Sequence, residues 1–588
     1  MRQVRACFAI SIVVAVAPAC TDQDQANDPA QAGWRGELVV TIVDSPLRRQ
    51  PLYSLRTSAG TRRLVFAGEP DVAPGTPVRV MGTAAGGGAI RVTRLEVEAS
   101  RQALIGATPR ALRQWAFVLI DTGMGVNLTA EQARQKAFSD APTSLKSYFH
   151  EVSYGVQEID GQVFGPIRHP LSDCSFNSMS DLADSVRAQL PGTFNQYLWY
   201  LGKDSLDCGW GGLGDLGTAQ RPARDSWYNA WSACGVLIQE PGHNFGMDHS
   251  SSARCTKDGQ AVSMALPGEG TCRHSEYGNI FDPMGDGECV HMDGVQKAYQ
   301  EWLSGCNVVK VTASGTFTLF PLEKACAGVQ LLQIPLPAAR TLRMTSSDGT
   351  TSATLTSYYL ELRAPIGLDA QLSPRVFVTT AGDIRSADRS GRHNWLLDMT
   401  PETSTMKDAA LPVGRLFSDP DPNGPRFTVL SADAEKAVIK VELAGAPAEG
   451  PGAGTCEDGS AFTAPGPETC VAPQTRIPDG GLPLPADASP PSRDAVAAPD
   501  VATARDVARE AALPADAAPP ADAASPADSE PGAGGSGGSE DLPDAAPVTN
   551  SLHGKVGCNC QLGGRAGSAL GPAVIVLALG ALRRRRRP

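Results

Sequence analysis

Residues 236–250, VLIQEPGHNFGMDHS, place an amide, a carboxylate and two imidazoles at spacings suited to holding a metal ion. Positions four apart on a helix share a face, so Gln239 and His243 can donate to one ion, while Glu240 can reach a metal-bound water. Gly246 lets the chain turn sharply and brings His249 back as a third donor. Three protein donors with a fourth position open describe a catalytic zinc site rather than a structural one. Zn2+ would acidify its water, and Glu240 would take the proton and later pass it to a leaving amine. An amide oxygen binds zinc more weakly than an imidazole nitrogen, so Gln239 lowers the expected affinity and admits another divalent metal. Pro241 deletes a backbone donor and crowds the Leu237 carbonyl, which predicts a kink between the two helical donors. His274 and His291 could each supply a nitrogen in place of Gln239, although neither has chelating spacing. His150 and His169 read as structural, Asp248 and Ser250 as residues that orient the loop, and Tyr277 is given no catalytic role.

The run from Gln239 to His249 resembles the long zinc signature of the metzincins, matching it at His243, Gly246 and His249. Downstream, EYGNIFDPMGDG offers Met284 in a tight Asp-Pro-Met-Gly turn that looks like the metzincin Met-turn. More specifically, SYFHEVSYGVQEIDGQVFGP, GGLGDLGTAQRPARDSWYN, EYG…MG…WL and SYYLELRAPIGLD resemble, in order, the gametolysin family of metallopeptidases, over roughly residues 36–445. Some members of that family carry Gln-Glu-x-x-His, which favours Gln239 as a ligand here. The resemblance implies a zinc metalloendopeptidase acting on extracellular proteins or glycoproteins. The rival reading is a catalytically inactive adhesin or binding module with a degenerate metal site, and the retention of Glu240 counts against it.

The elements that must position these residues form a multidomain chain. Residues 36–100 alternate Val-rich and Arg/Thr-rich runs between Gly, Pro and Asp clusters, which predicts a small all-β, barrel-like module that could be a pro-domain. Residues 101–307 mix the strand WAFVLID, two helical stretches in TAEQARQKAFSDAPTSLKSYFHEVSYG and the strand VQEIDGQVFGPI, an α/β pattern expected of a metzincin-like peptidase domain. Residues 308–445 alternate without helical period and predict a β-sandwich. Residues 446–557 are a Pro/Ala/Asp-rich stalk that cannot bury a core.

Both ends read as addresses. Residues 1–19 have the layout of an export signal, with Arg2 and Arg5, an apolar stretch and Ala17-Pro18-Ala19; Cys20 offers a lipidation site as an alternative. Residues 558–588 combine Cys558 and Cys560, an apolar segment from Ala566 to Leu582 expected to be a membrane helix, and Arg583 to Arg587. This resembles the myxosortase-type sorting tags of surface proteins, which implies a sorting protease as partner and a cell-surface or outer-membrane location; a plain tail anchor is the simpler alternative. Of the formal charge of -12, Arg476 to Asn550 account for -9, with thirteen Asp or Glu against four Arg, so the folded part is near neutral and a nucleic-acid partner is not expected. Ten cysteines lie between the two ends, an even number that predicts disulfides in an exported chain. Cys456 and Cys470 are expected to close a small loop at the base of the stalk. A cysteine-switch inhibitor is excluded, because no cysteine lies between Cys20 and Cys174.

Overall fold

The strand β1 (Trp34–Asp44) serves three partners along its length, and the fold around the site follows from that. Its first residues, Trp34 to Glu37, pair with β4 (Pro77–Ala84), and Glu37 to Thr41 pair with β2 (Leu52–Thr57). With β3 (Gly60–Val65) and β5 (Ile90–Val97) the ladder returns to β1, giving a closed five-strand barrel around Leu38, Val40, Leu55, Val78 and Ile90. The barrel expectation for this segment agrees with these pairings. The last residues of β1, Thr41 to Asp44, leave the barrel and pair antiparallel with β9 (Gly212–Asp215).

In the computed structural model described here, β9 is the antiparallel end of a sheet whose other strands run parallel: β6 (Arg113–Asp121), β7 (Ile159–Arg168), β8 (Gln196–Leu201) and β10 (Asp225–Asn229). Successive β6 side chains point to opposite faces. Trp115, Phe117 and Leu119 pack with helices α1 (Ala130–Phe138) and α2 (Leu145–Val152), whereas Ala116, Val118 and Ile120 pack against α3 (Phe176–Arg187). A strand buried on both faces is apolar throughout, which is why WAFVLID carries no alternation. The starts of α1, α2 and α3 are fixed by Thr129, Ser144 and Ser175, whose hydroxyls each accept from a backbone N–H three residues on.

A second large sheet contains β11 (Ser250–Lys257), β12 (Gln260–Val262) and β13 (Thr271–Ser275) together with long strands at Leu331–Ser346 and Gly349–Arg363. β11 runs parallel to Asn394–Leu397, so this sheet joins the segment that follows the metal-site loop to the C-terminal strands. With a four-stranded sheet that includes Arg426–Ala432 and Ala437–Glu442, it encloses a core built around Val309, Leu332, Ile334, Leu360, Phe427 and Ile439.

The described residues are 33–44, 51–98, 112–202, 208–230, 232–346, 349–384, 393–445, 450–463 and 469–470. They are rich in β structure, have few helices, and belong to one compact unit, Met1–Leu484. None of the described helices is long and apolar enough to cross a membrane. The expected export signal, most of the stalk and the C-terminal tag lie outside these residues.

All ten central cysteines are paired: Cys174–Cys208, Cys234–Cys289, Cys255–Cys272, Cys306–Cys456 and Cys326–Cys470. The expected Cys456–Cys470 loop is therefore corrected. Residues Ala453–Cys456 form a strand paired with Val308–Val311, which carries Cys456 to Cys306 and away from Cys470.

Candidate metal centre

Helix α4 (Cys234–Asn244) carries Gln239, Glu240 and His243, all buried, and packs beside β9 and β10. The helix continues through Pro241. Proline cannot donate to the Leu237 carbonyl. The Tyr228 hydroxyl of β10 donates to that carbonyl instead, at 3.4 Å. Gly242 answers a different constraint: a Cβ there would lie 2.3 Å from the Met284 sulfur, so only glycine lets the helix rest on Met284. The Asp-Pro-Met-Gly turn is held by Asp282, whose carboxylate accepts from the Met284 N–H at 2.6 Å. It is also held by the Met284 carbonyl, which accepts from the Ser250 N–H at 2.9 Å. Behind the turn, the buried Arg363 donates to the carbonyls of Phe281 and His291 and pairs with Glu323, Glu361 and Asp369. The SYYLELRAPIGLD segment thus braces the turn from the second sheet.

After α4 the chain reverses at Gly246, whose φ of 91° is in the left-handed region, and His249 returns beside His243 with ring centroids 4.9 Å apart. Hydrogen bonds decide which imidazole nitrogens are available. His243 Nδ1 faces the Met247 carbonyl at 2.9 Å, which only accepts, so Nδ1 carries a proton and Nε2 is left as a donor. His249 Nδ1 likewise faces Glu276 Oε1 at 2.7 Å, directing its Nε2 toward the same space. Gln239 stands one helical turn before His243, with its Nε2 buried and without a partner among the described residues.

The structure adds a residue that sequence spacing did not point to. Asp44, at the end of β1, places Oδ1 2.9 Å from His249 Nε2 and 3.6 Å from His243 Nε2. The Tyr277 hydroxyl donates to the same oxygen at 3.2 Å, and its ring lies 4.5 Å from that of His249, so Tyr277 belongs to the site after all. Asp44, His243 and His249 form one of two groups among the described residues whose ligand atoms converge closely enough to hold a metal ion.

The other group is His274, Glu276 and His393. Trp395 Nε1 can only donate, so His274 Nδ1 accepts from it at 2.9 Å; the His274 proton is then on Nε2, pointing at Glu276 Oε2 at 2.7 Å. His274 has no lone pair left for a metal, and Glu276 serves as a shared acceptor that orients His249. His274 is thus not the replacement nitrogen considered from the sequence. His291 is in neither converging group; its backbone N–H donates to Asp369, and burial, with Lys297 and Arg363 nearby, pushes its pKa well down.

Charges at the centre are strongly perturbed. Burial works against a charged His249, yet Asp44 and Glu276 hold its pKa up at about 10. Burial raises the Asp44 carboxyl, but the two imidazoles that face it, His243 and His249, more than reverse this and leave it well below the usual range. Glu240 is pushed well above the carboxylate range, by burial first and by the neighbouring Asp44 charge second. Both Glu240 oxygens, His243 Nε2, Asp44 Oδ2 and Gln239 Nε2 are buried without a hydrogen-bond partner among the described residues. Each such group costs about 1–3 kcal/mol if nothing meets it. Four of them, the two Glu240 oxygens, His243 Nε2 and Asp44 Oδ2, offer lone pairs at the place where His249 Nε2 also points, and fit a site built for a divalent cation; the Gln239 amide N–H2 offers none.

A buried carboxylate beside two imidazoles prepared as metal donors is the equipment of a metal-dependent hydrolase. Residues 117–372, which include α4, the His249 loop, the Met284 turn and the Arg363 brace, match the model of the gametolysin peptidase M11 family, which supports a metallopeptidase. No curated protein matches the chain.

Proposed function

We propose that the chain is a zinc-dependent endopeptidase of the metzincin type, exported and held at the cell surface, that hydrolyses extracellular proteins or glycoproteins. The reading rests on one observation above all: His243 Nε2 and His249 Nε2 converge beside Glu240, whose carboxylate is buried and unpartnered among the described residues. Gln239, His243 and His249 would hold the ion, with Glu276 and the Met247 carbonyl fixing the two imidazoles. Zinc, or another divalent metal, would supply an acidified water and polarise the peptide carbonyl. Glu240 takes the proton of the attacking water on its carboxylate and returns it to the leaving amine. Met284 supports α4 through Gly242 and keeps the His243 backbone in place. Export and surface retention rest on the sequence layouts at residues 1–19 and 558–588.

The test is metal content by elemental analysis, together with chelator-sensitive cleavage of an unfolded protein substrate, for the full chain and Glu240→Ala. The variant is expected to keep its metal and lose cleavage by about 10²-fold or more. Bound metal with no cleavage attributable to Glu240, once the N-terminal barrel is shown not to block the site, would favour the binding-module reading.

A further inference from the structure

Resting on the peptidase reading, we propose that the chain is held latent by its own N-terminal barrel: β1 occupies the edge of β9 beside the metal centre, and Asp44 supplies an oxygen that closes the metal position. Without β1, β9 is an unpaired sheet edge, the feature on which an extended polypeptide adds as a strand. That edge is taken over its whole length, from Thr41 opposite Asp215 to Asp44 opposite Gly212. The Val40 and Asp44 carbonyls accept from the N–H groups of Leu216 and Gly211 at 2.6 and 2.9 Å.

Side chains reinforce the docking. Thr41 Oγ1 donates to Asp215 at 2.5 Å, and Arg56 of the barrel pairs with the buried Asp215 and Asp225 at 2.9 and 3.6 Å. Main-chain pairing alone would secure the strand. It leaves unexplained why Asp44 directs a carboxylate between two imidazole nitrogens while its second oxygen stays buried without a partner among the described residues. With Gln239, His243 and His249, Asp44 makes four protein donors, the number of a closed structural site, in which no position is left for water. Tyr277, donating to the same Asp44 oxygen, holds the carboxylate in that position.

The experiment uses the full chain loaded with Co2+, in the natural sequence and as Asp44→Ala and Asp44→Asn, reading the visible cobalt absorption and the cleavage of an unfolded protein substrate. Asp44→Asn keeps the side-chain shape, and near-ultraviolet circular dichroism verifies that each variant is folded. Opening the position to water should change the cobalt spectrum and raise cleavage by at least about tenfold in Asp44→Ala, with a smaller rise in Asp44→Asn. Folded variants with the spectrum and cleavage rate of the natural chain would overturn the proposal. A changed spectrum with no cleavage by any chain would uphold Asp44 as a ligand and sink the peptidase reading instead.

Discussion

Glu276 accepts from two imidazoles at once, His249 Nδ1 on one oxygen and His274 Nε2 on the other, and this dual role makes it testable. Glutamine at 276 has a single acceptor oxygen; its amide N–H2 must face one of two N–H donors, so one imidazole loses its partner. Glu276→Gln is therefore expected to weaken metal binding by about 10–100-fold, measured by competition with a chromogenic chelator. Unchanged affinity would mean that His249 is oriented by its packing on Tyr277 alone. Gln239, Glu240, His243 and His249 were legible in the sequence because helical period and a glycine turn place them within eleven residues. Asp44, Glu276 and Tyr277 were not, since Asp44 and Glu276 lie 205 and 27 positions from His249 and meet it only through strand pairing. The one local sign of Asp44 was its place at the end of a Val-rich run.

At the scale of elements, the centre depends on how closely α4 lies against β9. A Cβ on Gly212 would sit 1.8 Å from Glu240 Oε1 and one on Gly214 would sit 2.8 Å from His243 Cβ, so GGLGD is a strand stripped of side chains where the helix crosses it. Gly212→Ala should displace Glu240 while leaving His243 and His249 in place. Cleavage should fall by at least about tenfold with metal content unchanged, since misplacing a catalytic group by about 1 Å costs up to 10²-fold. Loss of metal along with activity would show instead that the whole helix had moved. The sequence carried the helix but not the partner of the Leu237 carbonyl that Pro241 leaves free, because the Tyr228 hydroxyl that meets it belongs to a different element. It carried the barrel as well, since Gly, Pro and Asp clusters punctuate β2 to β5, but no local pattern shows that β1 outruns the barrel and enters a second sheet.

For the whole molecule, two disulfides tie the end of the described chain to its middle, and their partners could not be read from spacing, because ten cysteines admit many pairings. Cys306–Cys456 spans 150 residues of sequence, so it constrains a long stretch of the unfolded chain. The double variant Cys306→Ser with Cys456→Ser is expected to lose ~2–5 kcal/mol of stability, read as a lower denaturant midpoint. An unchanged midpoint would mean that the strand pairing of Val308–Val311 with Ala453–Cys456 suffices without the covalent bond. The same pair of bridges defines a load path. A pull on the chain beyond Cys470 enters the folded body at Cys326 and, through Cys456, at Cys306, both next to the second sheet. Tension is carried by covalent bonds into the second sheet first, and reaches the His249 loop only through the pairing of β11 with Asn394–Leu397 in that sheet.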